Sequence, residues 1–340
     1  MDFNVYDIMT TLNTFVSPSG HERKALKWVR ETVTNYCDET YFDTLGNLIC
    51  VVGKDKGEKV MYSAHADTIG FIAYAFDDKG FVKVSNLGGI NIKTVAGCRV
   101  RFENGVDGIL FYEMTEGATT LQNCYVDIGA TSKEEAEKMI GIGSACSVVG
   151  DIFLMGENKD MIAGPFLDDR IAVAIQMMAI KELYEEKAEL KNEVYFVFSV
   201  QEELGIRGAG TAAYAIDPKY GVAIDVTLVS DVPKSGKLSQ KLGGGACIKI
   251  MDASVFCHES MVAFLRKIAD ENSIKWQSEI IFAGGTDAGA IHKVRGGVYT
   301  GAISIPTRYI HSPNEAALIS DCREIIDLVK ASVKTGFSVE

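Results

Sequence analysis

The stretch from Glu193 to Gly210, Glu-Val-Tyr-Phe-Val-Phe-Ser-Val-Gln-Glu-Glu-Leu-Gly-Ile-Arg-Gly-Ala-Gly, constrains this chain more than any other. Its first half is an almost unbroken apolar and aromatic run, the pattern of a strand buried on both faces of a parallel sheet. The run ends in two adjacent carboxylates, Glu202 and Glu203, and then in small residues and glycines. A buried strand that carries paired acids to its carboxyl end is costly unless something there requires negative charge. The competing reading is that both acids cap a loop or the next helix, where carboxylates are favoured. The other segments decide between the two.

Apolar residues Val5, Ile8, Met9, Leu12 and Phe15 predict a first amphipathic helix. Ser17-Pro18-Ser19-Gly20 breaks it and offers a cap for a second helix, whose buried stripe is Leu26, Val29, Val33 and Tyr36. Strands are expected near 47–52 and 59–66, the second running into His65-Ala66-Asp67. From about 70 to 160 the pattern changes to short apolar runs punctuated by glycine, including Ser147–Met155, with one helical patch at Ser132–Met139. That spacing predicts a compact all-β unit, a small barrel, inserted at residues 68–159. Helix and strand patterns then alternate again: a long helix after Asp168-Asp169-Arg170, the Glu193 strand, a helix near 207–215, and a strand Gly221–Val226 stopping at Asp225. Further strands are expected near 246–251, 278–283 and 298–304, with a helix Ser260–Asn272 and a terminal helix near 315–335. The expected fold is α/β: a doubly wound, mixed-sheet catalytic domain, split in sequence into residues 1–67 and 160–340, carrying the inserted barrel.

Four segments place polar residues where strands end, the usual ligand position in open α/β sheets. They supply His65 and Asp67, Asp168 and Asp169, Glu202 and Glu203, and Asp225, while His311 lies in the turn-like Arg308–Pro313. Each group alone has an ordinary explanation: a hydrogen-bonded His–Asp pair, an N-cap, a turn residue. Together they make a ligand set suited to two divalent metals such as zinc, cobalt or manganese. The eight scattered cysteines form no Cys-x-x-Cys pair and read as reduced, buried thiols rather than a thiolate zinc site. A net charge of −12 argues against nucleic acid as the main partner. Neither a leader nor an apolar run of the ~20 residues needed to span a membrane is evident, so the expected location is the cytoplasm.

On these motifs the chain resembles the M42 family of dinuclear metallo-aminopeptidases, which includes glutamyl and tetrahedral aminopeptidases. The matching segments are Ser63–Phe71, Leu167–Arg170, Val200–Ala209, Ala223–Val226, Gly284–Ala288 and Ile305–Pro313, in the family's order along nearly the whole chain. The resemblance implies that Asp168 bridges two metal ions, Zn²⁺ or Co²⁺ with Mn²⁺ also suitable. His65 and Asp225 would complete one shell, and Glu203 and His311 the other. Asp67 would orient His65, Asp169 would support the ligands from behind through a cis Asp168–Asp169 bond, and Glu202 would be the general base. Gly285, Thr286 and Asp287 are candidates for the substrate pocket. Thr68 stands where family members usually have Glu, and Phe166 where they usually have a small residue.

The implied activity is removal of the N-terminal residue from peptides with a free N-terminus, through a metal-bridging hydroxide whose proton Glu202 accepts. The implied assembly is a homo-oligomer, dimers building a hollow tetrahedral dodecamer. A metal-dependent deacylase or carboxypeptidase would use similar ligands, and a non-enzymatic peptide-binding assembly protein would keep the fold. A glycosidase fits less well, because carboxylates bound to metals do not serve as acid and nucleophile. Gly243-Gly244-Gly245 reads as backbone accommodation, His21, His258 and His292 as structural or exposed, and Lys181–Lys191 as a solvated charge run.

Overall fold

The computed structural model describes residues 3–113 and 121–339. At its centre the strand Glu193–Ser199 lies parallel to Lys59–His65, which is parallel to Tyr220–Leu228, which is parallel to Tyr299–Arg308. Alternation along the central strand explains its composition. Val194, Phe196 and Phe198 pack into the large core under the helices Val5–Leu12, Arg23–Val33, Leu167–Glu185, Glu259–Glu271 and Ile319–Thr335, with Phe196 stacked on Tyr62 at 5.5 Å. Tyr195 and Val197 face the other way, against Ala209, Ala212, Ala213 and Ile216 of the helix Arg207–Ile216. A strand covered on both faces has no side that tolerates polar residues, so only its ends can.

Outer strands complete the sheet. Leu48–Val52 and Glu39–Phe42 flank one side, and Glu315–Leu318, Met161–Gly164 and Phe153–Met155 extend the other. Ala246–Met251 branches from Tyr299–Arg308 and pairs with Trp276–Ile280. The inserted unit is a closed barrel in the order Gly70–Phe76, Val82–Leu87, Cys124–Asp127, Asp107–Tyr112, Arg99–Phe102, Ala145–Val148. Its core holds Val82, Val84, Val100, Phe102, Leu110 and Val126. Phe166, buried at the junction, joins that barrel core while its ring lies 5.2 Å from the Arg170 guanidinium.

Four details differ from the pattern-based expectation. Glu39–Phe42 is a strand because it pairs antiparallel with Leu48–Val52 around a turn held by Asp43, whose carboxylate accepts from the Gly46 and Asn47 amides. The run Ser147–Met155 splits, with Ala145–Val148 in the barrel and Phe153–Met155 in a hairpin of the large sheet. The Tyr220 strand continues past Asp225 to Leu228. Glu315–Leu318 is a strand between Arg308 and Met161, and the terminal helix starts only at Ile319.

Candidate active site

The parallel register assembles the site. His65 pairs with Ser199, and Ser63 with Ala223, so two residues further on Asp225 stands level with His65. Beyond Ser199 the chain turns through Gln201 at φ 57° and presents Glu202 and Glu203. His311, at φ 61°, follows the last parallel strand, and Asp168 opens the long helix behind the left-handed Phe166. The peptide bond Asp168–Asp169 is cis.

Asp168 lies between the two imidazoles. Its Oδ1 is 3.1 Å from His65 Nε2 and its Oδ2 is 3.1 Å from His311 Nε2. Glu203 Oε2 is 3.3 Å from His311 Nε2, whereas Asp225 Oδ1 and Glu202 Oε2 each lie 3.9 Å from His65 Nε2. The sequence-derived set His65, Asp168, Glu202, Glu203, Asp225 and His311 is therefore brought together. All six line a cavity of about 410 Å³, which extends past Ile206, Leu228, Lys249, Ile281, Gly285 and Thr286. Asp287 stands behind the site, where its Oδ2 accepts from the Ser63 and Ser199 hydroxyls at 2.6 Å each.

A further layer of buried carboxylates grips the backbone that carries these groups. Asp67 accepts from the Glu202 and Glu203 amides at 3.0 and 3.1 Å and from the Ser19 hydroxyl at 2.6 Å. His65 Nδ1 is 3.1 Å from the Asp67 carbonyl oxygen and 3.4 Å from its carboxylate, both of which favour the tautomer with the proton on Nδ1. Asp169 accepts from the His65 amide at 3.1 Å. Two members escaped sequence reasoning. Glu315 accepts from the amides of both Asp168, at 2.8 Å, and His311, at 2.7 Å. Glu22 accepts from the Gln201 amide at 3.0 Å and the Gly20 amide at 2.7 Å. The one available signal for Glu315 is an acid opening the apolar Glu315-Ala316-Ala317-Leu318 four residues after His311; for Glu22 there is none beyond its closeness to Ser19.

Among side chains alone this site is electrostatically lopsided. Burial, reinforced by the Asp225 charge, pushes the Glu202 carboxyl well up, and burial with the Asp168 charge does the same to Asp225 and Glu315. Burial opposes a charged His311, but Asp168 and Glu203 outweigh it and push the imidazole up to about 12. Burial likewise opposes the Asp168 carboxylate, yet His311 and His65 hold it below the usual range. Within 4 Å the Asp168, Glu202, Glu203 and Asp225 carboxylates pair with the imidazoles and with no Lys or Arg among the described residues. Glu203 Oε1, Asp169 Oδ1 and Asp287 Oδ1 are buried without a hydrogen-bond partner. Ligand atoms of His65, Asp168 and Glu203 gather within 4.8 Å of one another, as do those of His65, Asp169 and Asp225. Orphaned carboxylate oxygens around two imidazoles fit divalent cations.

Comparison with known proteins agrees. The chain is 33% identical to the lysyl aminopeptidase of Pyrococcus furiosus, over 96% of each chain. The structure superposes on an aminopeptidase from the archaeon Desulfurococcus kamchatkensis with a TM-score of 0.92 at 33% identity, covering 98% of this chain and 95% of that one. It superposes on the TET1 peptidase of Pyrococcus horikoshii, which can assemble into a tetrahedron or a large octahedral shell, with a TM-score of 0.85 at 28% identity, covering 97% and 99%. The profile of the M42 glutamyl aminopeptidases matches residues 46–328, and the chain belongs to that family of metallo-aminopeptidases.

Proposed function

We propose that this chain hydrolyses the N-terminal peptide bond of peptides, with two divalent ions bridged by Asp168. His65 and Asp225 would hold one ion, Glu203 and His311 the other, with Zn²⁺ or Co²⁺ best suited to the donors and Mn²⁺ acceptable. The observation that carries the reading is the placement of the two Asp168 oxygens, each 3.1 Å from a different imidazole. When bound, the ions lower the pKa of water and polarise the scissile carbonyl. Glu202 is the free carboxylate of the set: it takes a proton from the attacking water as oxygen bonds to the carbonyl carbon. It then delivers that proton to the departing amine nitrogen as the C–N bond breaks. Asp67 holds the Glu202 and Glu203 amides with separate oxygens, so the two adjacent acids keep separate directions. Assembly of dimers into a hollow tetrahedral dodecamer is the matching quaternary proposal, supported by the likeness to the Pyrococcus horikoshii peptidase.

Glu202→Gln tests the base. The expected result is a loss of about 10²–10⁴ in kcat with both ions still bound. Full peptidase activity in a metal-replete variant would remove Glu202 from the mechanism.

A further inference from the structure

The metal-ligand edge is shared by two depressions of different character. One is the cavity of about 410 Å³ described above, walled by buried groups such as Thr227, Lys249 and Thr286. The other is a trough of about 670 Å³ lined by Gly89, Ile90, Asn91, Thr94, Tyr309 and Ser312. Gly89, Ile310 and His311 border both, so the two are continuous at His311. Asn91, Thr94 and Tyr309 are exposed, which leaves the trough open along its length.

One wall of this trough belongs to the inserted barrel. The loop after the strand Val82–Leu87 lies directly over two of the proposed ligands. A Cβ at Gly88 would sit 3.0 Å from Glu203 Oε2, and one at Gly89 would sit 3.1 Å from His311 Nδ1. Gly88 also has φ 86°, and its carbonyl accepts from the Asn86 side chain at 2.6 Å, which fixes the loop in this approach. Any larger residue at either position would press on the ligands. The barrel is thus built into the active-site wall as well as its own core.

An exopeptidase acting at the N-terminus needs a closed end for the first residue and an open path for the chain that continues beyond the scissile bond. The cavity, walled by buried groups, and the trough, open to solvent, meet at His311 and fit these two needs. Among the described residues, no Asp, Glu, Lys or Arg lines the trough. Its polar groups are partly engaged already: Asn91 Oδ1 accepts from the Lys93 amide at 3.1 Å, and the Thr94 hydroxyl donates to the Asn91 carbonyl at 2.8 Å. The Asn91 side-chain NH₂ group and the loop backbone face an uncharged chain better than a charged side chain.

We propose that the trough between the barrel loop 88–94 and the turn 309–312 is the subsite for the peptide residues that follow the scissile bond, binding their uncharged backbone with little regard to side chain. This rests on the aminopeptidase reading. The test compares X-amides and X-Z-Gly-Gly tetrapeptides, with X and Z each leucine, lysine or glutamate, as substrates of the assembled, metal-loaded protein. In the tetrapeptides kcat/KM should change less than about threefold with Z, and a strong preference at Z overturns the indifference to side chain. The amides release ammonia, which leaves the trough empty. Thr94→Trp, which fills the trough from the exposed barrel side, should lower the tetrapeptide-to-amide ratio of kcat/KM by about tenfold, and Tyr309→Ala by about threefold. Metal content and circular dichroism establish that each variant is folded and loaded. An unchanged ratio in both folded variants overturns the subsite while the wild-type turnover upholds the aminopeptidase. Failure of the wild type on every amide and tetrapeptide overturns both.

Discussion

Asp252 and Glu279 are as deeply buried as the carboxylates at the strand ends, but they have a counter-ion of their own. Lys249, fully buried on the strand Ala246–Met251, sits 2.6 Å from Glu279 and 3.1 Å from Asp252. Glu279 is its register partner on the neighbouring parallel strand, and Asp252 is further anchored by the Ser254 and Val255 amides. At the edge where His65, Asp168, Glu203 and Asp225 meet, the same burial is imposed with no lysine or arginine in the ion pairs among the described residues. Both clusters line or border one cavity. The first is compensated from within the chain, and the second has the donor set for the divalent ions proposed above. That contrast separates a structural buried charge from a binding site more clearly than burial or acidity alone.

Chelation should break the comparison most visibly. Stripping the metals is expected to abolish peptidase activity and to destabilise the fold by on the order of 4 kcal/mol per ion held at a thousandfold excess over its Kd. Thermal unfolding with and without chelator reads this directly. An unchanged Tm would mean that the carboxylate layer is compensated by something other than ions. Lys249→Met should come next, at about 3–5 kcal/mol, because it strands two buried carboxylates. Added metal should not repair it, whereas a second substitution, Glu279→Gln, should recover part of the loss in chemical denaturation. If Lys249→Met alone unfolds no more easily than wild type, the internal pairing carries no weight.

Legibility followed the same division. The strand Glu193–Ser199 and its acids could be read because a double-sided buried strand has one composition, and the barrel because short strands recur between glycines. The residues that touch the proposed ions sit at strand ends, where an acid or imidazole is conspicuous. Glu22 and Glu315 act on backbone amides of other segments, and nothing in their own neighbourhoods reports partners such as Gln201 or Asp168. The segment Ser17-Pro18-Ser19-Gly20 reads as offering a helix cap, yet the Ser19 hydroxyl goes to Asp67, and the helix Arg23–Val33 starts without a side-chain cap. The strand Glu315–Leu318 carries too few residues to show a period, so it merged with the helix that follows. Thr68 is fully buried with its hydroxyl unpartnered among the described residues, and nothing in the structure explains its departure from the family pattern.

Glu22 gives the smallest and most discriminating effect, because it belongs to the uncompensated cluster without being a proposed ligand. Burial, and then the neighbouring Asp67 charge, raise its carboxyl from the ordinary 4.5 to about 7. A carboxyl raised in the native state binds its proton more tightly there than in the unfolded chain. Its contribution to stability is therefore complete below about pH 4.5 and is lost as pH rises through about 7. A rise of that size corresponds to on the order of 3 kcal/mol, reached above the upper value. Glu22→Gln keeps an oxygen for the Gln201 and Gly20 amides but has no proton to lose. In metal-free protein the variant should lose less stability than wild type between pH 5 and 8, measured by denaturant unfolding at each pH. Loading the metals should narrow the difference, since cations near Asp67 relieve the same field that raises Glu22. Parallel stability curves for the two proteins in the metal-free state would show that Glu22 already has its compensation, and that the acidic layer is balanced more locally than its contacts imply.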